Sequence, residues 1–279
     1  MASISVVVTA RDAARTIEQT LKSLLKSISS SDEILVLLDK CKDNTSSRVA
    51  KFADSRIRVF ESKEGLGRSA GRNFLIEKSR GEYIAICDAD DIALPWRFAL
   101  AKRQLKKFDA VFGTAIVFGK QLRPLPILPQ VPRTIRPKEM PLELFARNPI
   151  VHSTATFKKS VFIELGQYRE SEAEEYDLWL RMINSGKSLF RTSLPVALYR
   201  FHSTQASQAP GFAERGANCH FVIKEQITLA DKLSLAATSL REQKEAVLAM
   251  IRRKGVFAYL EVHGLPGRLR NWKNSKKRN

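Results

Sequence analysis

The chain has only three cysteines in 279 residues, Cys41, Cys87 and Cys219. They are scattered, odd in number and without metal-ligand spacing. That excludes a disulfide framework and suits reduced thiols in a cytosolic protein. No run of about 18 apolar residues occurs, which excludes a transmembrane helix. The first residues enter a strand pattern directly (Ile4-Ser5-Val6) and lack the basic start and long apolar stretch of a secretion signal. Internal repeats are missing, and only residues 271–279 have the composition of a disordered end. Acidic residues are scarce beside basic ones, 29 against 47, for a net charge of +18. Such an excess calls for an anionic partner: a nucleotide, an anionic membrane face, a phosphate-rich polymer or nucleic acid. It is uneven, because from Gly211 onward fourteen Lys and Arg face six Asp and Glu.

What remains reads as an α/β protein. Residues 4–9 form a short apolar strand pattern. Thr16-Ile17-Glu18-Gln19 resembles a capping box, and Ile17, Leu21, Leu24, Leu25 and Ile28 follow at helical spacing. Residues 33–39 carry the continuous apolar run Ile34-Leu35-Val36-Leu37-Leu38, as strands buried on both faces do. A second helix opens at Asp43-Asn44-Thr45, with a third strand over 57–60, a third helix over 69–78 and a fourth strand over 83–87. This alternation predicts a doubly wound, largely parallel sheet with helices on both faces. A helix from Pro95 to about residue 107 and a strand over 110–118 come next. Five prolines between residues 119 and 137 (Pro124, Pro126, Pro129, Pro132, Pro137) exclude a helix or central strand there and predict an extended loop or lid. Short helices over 142–146, 160–165 and 178–183 surround a strand over 154–157. From Gly211 the pattern becomes helical and basic.

The most informative feature is Asp88-Ala89-Asp90-Asp91, placed after the apolar run Tyr83-Ile84-Ala85-Ile86-Cys87. Three carboxylates in four residues repel one another, and a divalent cation of the Mg²⁺ or Mn²⁺ kind relieves that repulsion with hard oxygen ligands. Ligands of open α/β sheets bind at the carboxyl ends of the strands, where this cluster falls. The plainer alternative is a solvated acidic turn capping the helix that begins near Pro95. Other residues carry similar pairs of readings. Asp39, ending a strand, can accept from a nucleobase N–H or a ribose hydroxyl, or cap a turn. Arg68, Arg72 and Asn73 open a glycine-flanked helix suited to ribose or pyrophosphate, or the arginines pair with acidic neighbours.

Read together, these segments resemble the inverting GT-A glycosyltransferases of family 2. The resemblance covers about residues 3–207. It rests on Val6-Val7-Val8-Thr9-Ala10-Arg11, on Val36-Leu37-Leu38-Asp39-Lys40-Cys41-Lys42-Asp43-Asn44-Thr45, and on Gly65-Leu66-Gly67-Arg68-Ser69-Ala70-Gly71-Arg72-Asn73. Gly81-Glu82-Tyr83-Ile84, the acidic cluster, Glu174-Glu175-Tyr176-Asp177-Leu178-Trp179-Leu180-Arg181 and Tyr199-Arg200-Phe201-His202 complete it, in order. Two departures stand out: Leu38 replaces the family's first Asp in the second segment, and Glu175 stands where the family has an Asp.

The resemblance implies roles. Thr9, Ala10, Arg11, Asp39, Arg68, Arg72, Asn73, Asp88 and Asp90 would bind the donor, with Asp39 on the nucleobase and Asp88 on the ribose. Asp90 and His202 would hold Mn²⁺ or Mg²⁺ at the diphosphate, and Asp91 would support the loop or cap a helix. Glu175 would be the general base, with Glu172, Glu174 and Asp177 close enough to compete for that role. Glu174 and Trp179 are acceptor-side candidates, although Trp179 serves equally as a core anchor. The implied activity is metal-dependent, inverting transfer from a nucleotide sugar, a UDP-sugar first, to a saccharide or lipid-linked hydroxyl. The implied organisation is a nucleotide-sugar-binding half (1–118), an acceptor half of the same domain (119–210) and a helical basic extension (211–279). That extension, through residues 241–279, can hold a cytoplasmic protein peripherally to anionic lipid. The rivals are a nucleotide-binding module that has lost transfer and a nucleic-acid-binding protein. The latter accounts for the charge but not for the acidic cluster.

Overall fold

Apolar runs become the middle of the sheet. Ile4–Ala10 (β1), Glu33–Asp39 (β2) and Tyr83–Ile86 (β4) are buried almost throughout, as strands covered on both faces must be. These strands belong to a computed structural model that describes residues 3–119, 133–202, 205, 215 and 218–233. With Ile57–Ser62 (β3), Ile92–Ala93 (β5), Ala110–Gly119 (β6), Thr156–Lys158 (β7) and Leu189–Phe201 (β8) they form one sheet of order β3-β2-β1-β4-β7-β6-β8-β5. The β3-β2-β1-β4 half is parallel. β7 enters antiparallel between β4 and β6, β6 and β8 run parallel, and β5 closes the edge antiparallel to β8. The sheet is thus mixed, with parallel pairing prevailing in its N-terminal half.

The helices are Ile17–Ser27 (α1), Thr45–Val49 (α2), Arg68–Lys78 (α3), Arg97–Leu105 (α4), Met140–Ala146 (α5), Lys159–Glu164 (α6), Glu174–Asn184 (α7) and His220–Lys232 (α8). The apolar stripe expected on α1 is present: Ile17, Leu21 and Leu24 are fully buried and pack in one core with Val6, Val8, Ile34 and Val36. The expected capping box is not formed. Thr16 makes no side-chain cap to its own helix; its hydroxyl donates to Ala89 O at 3.0 Å, as does that of Thr20 at 3.0 Å. These two bonds tie α1 to the acidic loop.

Two glycines are dictated by geometry. Gly67 precedes α3 with φ of +81°, a region only glycine enters freely. Gly113 lies where β6 shifts register against β8, and a Cβ there would come within 2.2 Å of Val196.

By its contacts the chain divides into two units, Met1–Leu229 and Ala230–Asn279. The first unit runs past the expected boundary at 211, because Val222, Gln226 and Leu229 of α8 are buried in it and Gln226 donates to the Tyr176 hydroxyl. Most of the expected proline-rich loop (120–132) and all of the basic stretch 241–279 lie outside the described residues. Among the described residues no helix is long and apolar enough to cross a membrane.

Candidate active site

The acidic cluster leaves β4 at Cys87 and is held from three sides. α1 binds Ala89 through the two threonine hydroxyls. Asp91 is fully buried, accepting from the Ser153 hydroxyl and from Arg200 N at 2.8 Å. Burial, then repulsion from Asp88 and Asp90, pushes the Asp91 carboxyl well above the usual range. It is therefore a structural acid under the loop, neither ligand nor helix cap. Arg200 donates from Nε to Asp90 O at 2.8 Å and lies 4.4 Å over the Phe118 ring, so the end of β8 grips the loop as well.

These clamps leave the Asp90 side chain facing His202, with Oδ2 and Nε2 2.8 Å apart. Adjacent donors on an octahedral ion with bonds of about 2.1 Å are separated by about 3 Å, so this pair fits a shared cation. An oxygen and an imidazole nitrogen suit Mn²⁺ or Mg²⁺, whose remaining positions go to water and substrate phosphate. Among the described residues no group of three or more His, Cys, Asp and Glu gathers at one point, so the fit rests on this pair.

Asp88 points the other way, toward α3 and α7. Arg72 Nη2 lies 3.5 Å from Asp88 Oδ1, while its Nη1 donates to Glu174 Oε1 at 2.7 Å. Arg68 Nε sits 3.3 Å from the same Glu174 oxygen, and its Nη2 donates to Glu172 at 3.2 Å. Arg72 and Glu174 are both buried. Both arginines thus pair with acidic neighbours; Arg72 does so buried, whereas 35% of the Arg68 side chain is exposed. Glu174, expected on the acceptor side, is a buried counter-ion. Its second oxygen has no hydrogen-bond partner among the described residues.

The four competing carboxylates now separate. Glu172 pairs with Arg68 and Arg215, Glu174 with Arg68 and Arg72, and Asp177 with Arg169 and Arg181. Glu175 is half-buried and has no cation within pairing distance among the described residues. Burial first, and Glu174 second, push its carboxyl up to about 7. A group that titrates there can take a proton near neutral pH, which is what a general base requires.

Other expected residues have clear places. Asp39 ends β2 almost buried, accepting from Arg11 Nη2 at 2.8 Å, Leu66 N at 2.6 Å and Gly67 N at 3.2 Å. It ties the turn before α3 to β2. Thr9 and Ala10 end β1 beside it, and Arg11 is half exposed on the same rim. Asn73 does not face a ligand: both its amide atoms bond the backbone of Tyr168, at 2.9 and 3.1 Å. Trp179 is fully buried against Phe112 and Phe157, out of reach of an acceptor. The core-anchor alternative describes it.

Sequence reasoning missed His152, Tyr168 and Ser153. His152 Nε2 lies 2.8 Å from the Tyr168 hydroxyl, and the Tyr168 ring lies 6.0 Å from the Arg72 guanidinium. The one local signal was a histidine, one of four in the chain, set directly after the apolar Pro149-Ile150-Val151.

Residues 5–166 match the family described as Glycosyl transferase family 2. The chain belongs to glycosyl transferase family 2. An uncharacterized glycosyltransferase of Methanocaldococcus jannaschii is 26% identical over 187 residues, covering 64% of this chain and 63% of that protein. The chain therefore spans under two thirds of that relative's length. Among solved structures, S. aureus TarS 1-349 in complex with UDP-GlcNAc aligns with a TM-score of 0.64 at 15% identity, over 88% of this chain and 70% of that one. The mannosyltransferase PcManGT from Pyrobaculum calidifontis, in complex with GDP-Man and Mn²⁺, aligns with a TM-score of 0.56 at 18% identity, over 97% and 83%. The fold shared with these neighbours is the expected GT-A-like arrangement.

Proposed function

We propose that this protein is a metal-dependent inverting glycosyltransferase that moves a sugar from a nucleotide-sugar donor to an acceptor hydroxyl. The observation that carries this reading is the buried Arg72, which binds both Asp88 of the acidic loop and Glu174, the neighbour of Glu175. One side chain thereby ties the donor-side carboxylates to the start of the helix that bears the base. Support for the donor class comes from the neighbours in complex with UDP-GlcNAc and with GDP-Man and Mn²⁺. A UDP-sugar is the first choice, and a saccharide or lipid-linked hydroxyl the acceptor.

In this reading Thr9, Ala10, Arg11 and Asp39 form the rim for the nucleoside, and Asp88 takes the ribose. Asp90 and His202 would hold Mn²⁺ or Mg²⁺, which would supply neutralisation of the charge developing on the diphosphate leaving group. Glu175 accepts the proton of the attacking hydroxyl as its oxygen bonds to the anomeric carbon and the nucleoside diphosphate leaves in line, one step that inverts configuration. Arg68 and Arg72 hold Glu174 so that Glu175 remains the unpaired acid of the pair. The basic residues of 241–279 draw the protein to anionic lipid on the cytoplasmic side, at about 1 kcal/mol per cation near the surface.

The test is a thermal-shift panel of UDP-, GDP-, dTDP- and CMP-sugars, with Mn²⁺ and with EDTA. A donor at 100 times its Kd adds about 2.7 kcal/mol to stability. The expected result is stabilisation by one nucleotide class that requires Mn²⁺ in wild type and is lost in Asp90→Ala. Stabilisation by none of them overturns the proposal; stabilisation unchanged by EDTA overturns its metal dependence.

A further inference from the structure

The Tyr168 hydroxyl is buried, and its partner among the described residues is His152 Nε2, 2.8 Å away. A buried phenol O–H with one acceptor in reach donates to it. Nε2 is then the acceptor, and in a neutral imidazole the proton lies on Nδ1. The ring is kept neutral: burial first, then Arg72 and Arg68, push His152 well below its ordinary value. Burial holds the Tyr168 phenol protonated as well.

The ring packs against Trp179 at 6.0 Å and Tyr168 at 5.6 Å between centroids, with its Nε2 edge occupied. The Nδ1 edge has no protein partner among the described residues and is not sealed, since His152 is only half-buried. Its neighbours place it at the reaction. Ser153 bonds Asp91 under the acidic loop, while Tyr168 lies beneath Arg72, which grips Asp88 and Glu174. Asn73 fixes Tyr168 by two backbone bonds, so the donor is pre-oriented. Arg68 and Arg72 are committed to carboxylates, so this edge offers an uncharged N–H, which matches a neutral hydroxyl better than a phosphate.

We propose that His152 binds a hydroxyl of the transferred sugar through Nδ1–H, with Tyr168 as the positioning residue that sets its tautomer; this rests on the sugar-transfer reading above. The test is ¹⁵N NMR of the histidine rings in the full chain. In the free protein His152 is expected as the Nδ1–H tautomer, without titration between about pH 5.5 and 8. UDP-glucose, UDP-GlcNAc and GDP-mannose are then compared with UDP or GDP alone, all with diamagnetic Mg²⁺. The sugar nucleotide that binds should move the Nδ1 resonance, and its bare nucleotide should not. His152→Ala should weaken that sugar nucleotide by about 2- to 13-fold, one hydrogen bond's worth, and leave the bare nucleotide unchanged. An Nε2–H tautomer, or equal Nδ1 shifts with and without the sugar, overturns the proposal while sugar transfer stands. If none of the three binds, dTDP- and CMP-sugars are compared in the same way; if no sugar nucleotide binds, the transfer reading fails and this one fails with it.

Discussion

Glu175 shows how a residue's company decides its chemistry. Its three acidic neighbours in sequence are each held by arginines, and it is left half-buried beside one of them with a carboxyl near pH 7. The sign of the consequence is fixed. A base must be ionised to act, so transfer should rise with pH through about 7. Folding responds oppositely, because a raised folded-state value favours the protonated form. That contribution is complete below about 4.5 and disappears as pH climbs through about 7. Wild type should therefore lose more thermal stability between pH 5 and pH 8 than Glu175→Gln, measured by parallel melts. Equal losses would mean that Glu175 titrates as an ordinary surface acid. The candidate residues were legible from motif order, but their partners were not. Nothing local in Arg72 or Asn73 says that one reaches Glu174, 102 residues away, and the other Tyr168, 95 away.

Among the elements, α3 and α7 are tied by a buried ion pair. Breaking one side of such a pair leaves an uncompensated charge, which typically costs about 3–5 kcal/mol, whereas replacing both with apolar groups of similar volume is often neutral. Arg72→Met should therefore lower the urea midpoint strongly, and Arg72→Met with Glu174→Met should recover much of the loss. Additive losses in the double variant would show that the pair does not couple the helices. The same burial hid the start of α7 from sequence reading. Its first turn carries Glu174, Glu175 and Asp177, so apolar periodicity emerges only at Leu178. β8 was missed for a related reason: its burial is irregular, Pro195 interrupts it, and its pairing with β6 shifts register. β5 is two residues long and exists only because β8 offers it an edge. By contrast β1, β2, β4 and α1 were legible because each is buried along a single unbroken period.

Across the molecule, the surplus positive charge is densest in the C-terminal stretch, where fourteen Lys and Arg from Gly211 onward face six Asp and Glu. Removing residues 265–279 should weaken sedimentation with anionic liposomes at low salt and leave donor hydrolysis intact. Full-length protein that ignores such liposomes would contradict the lipid role. The central claim is that this family 2 chain transfers sugar with Glu175 as its base. The most direct measurement is donor turnover by wild type and Glu175→Gln, using the nucleotide sugar that stabilises the protein, across pH 5 to 9. The account predicts a fall of about 10²–10⁴-fold in the variant, loss of the limb near pH 7 and unchanged donor binding. Equal turnover and an identical pH profile in the two proteins would contradict it.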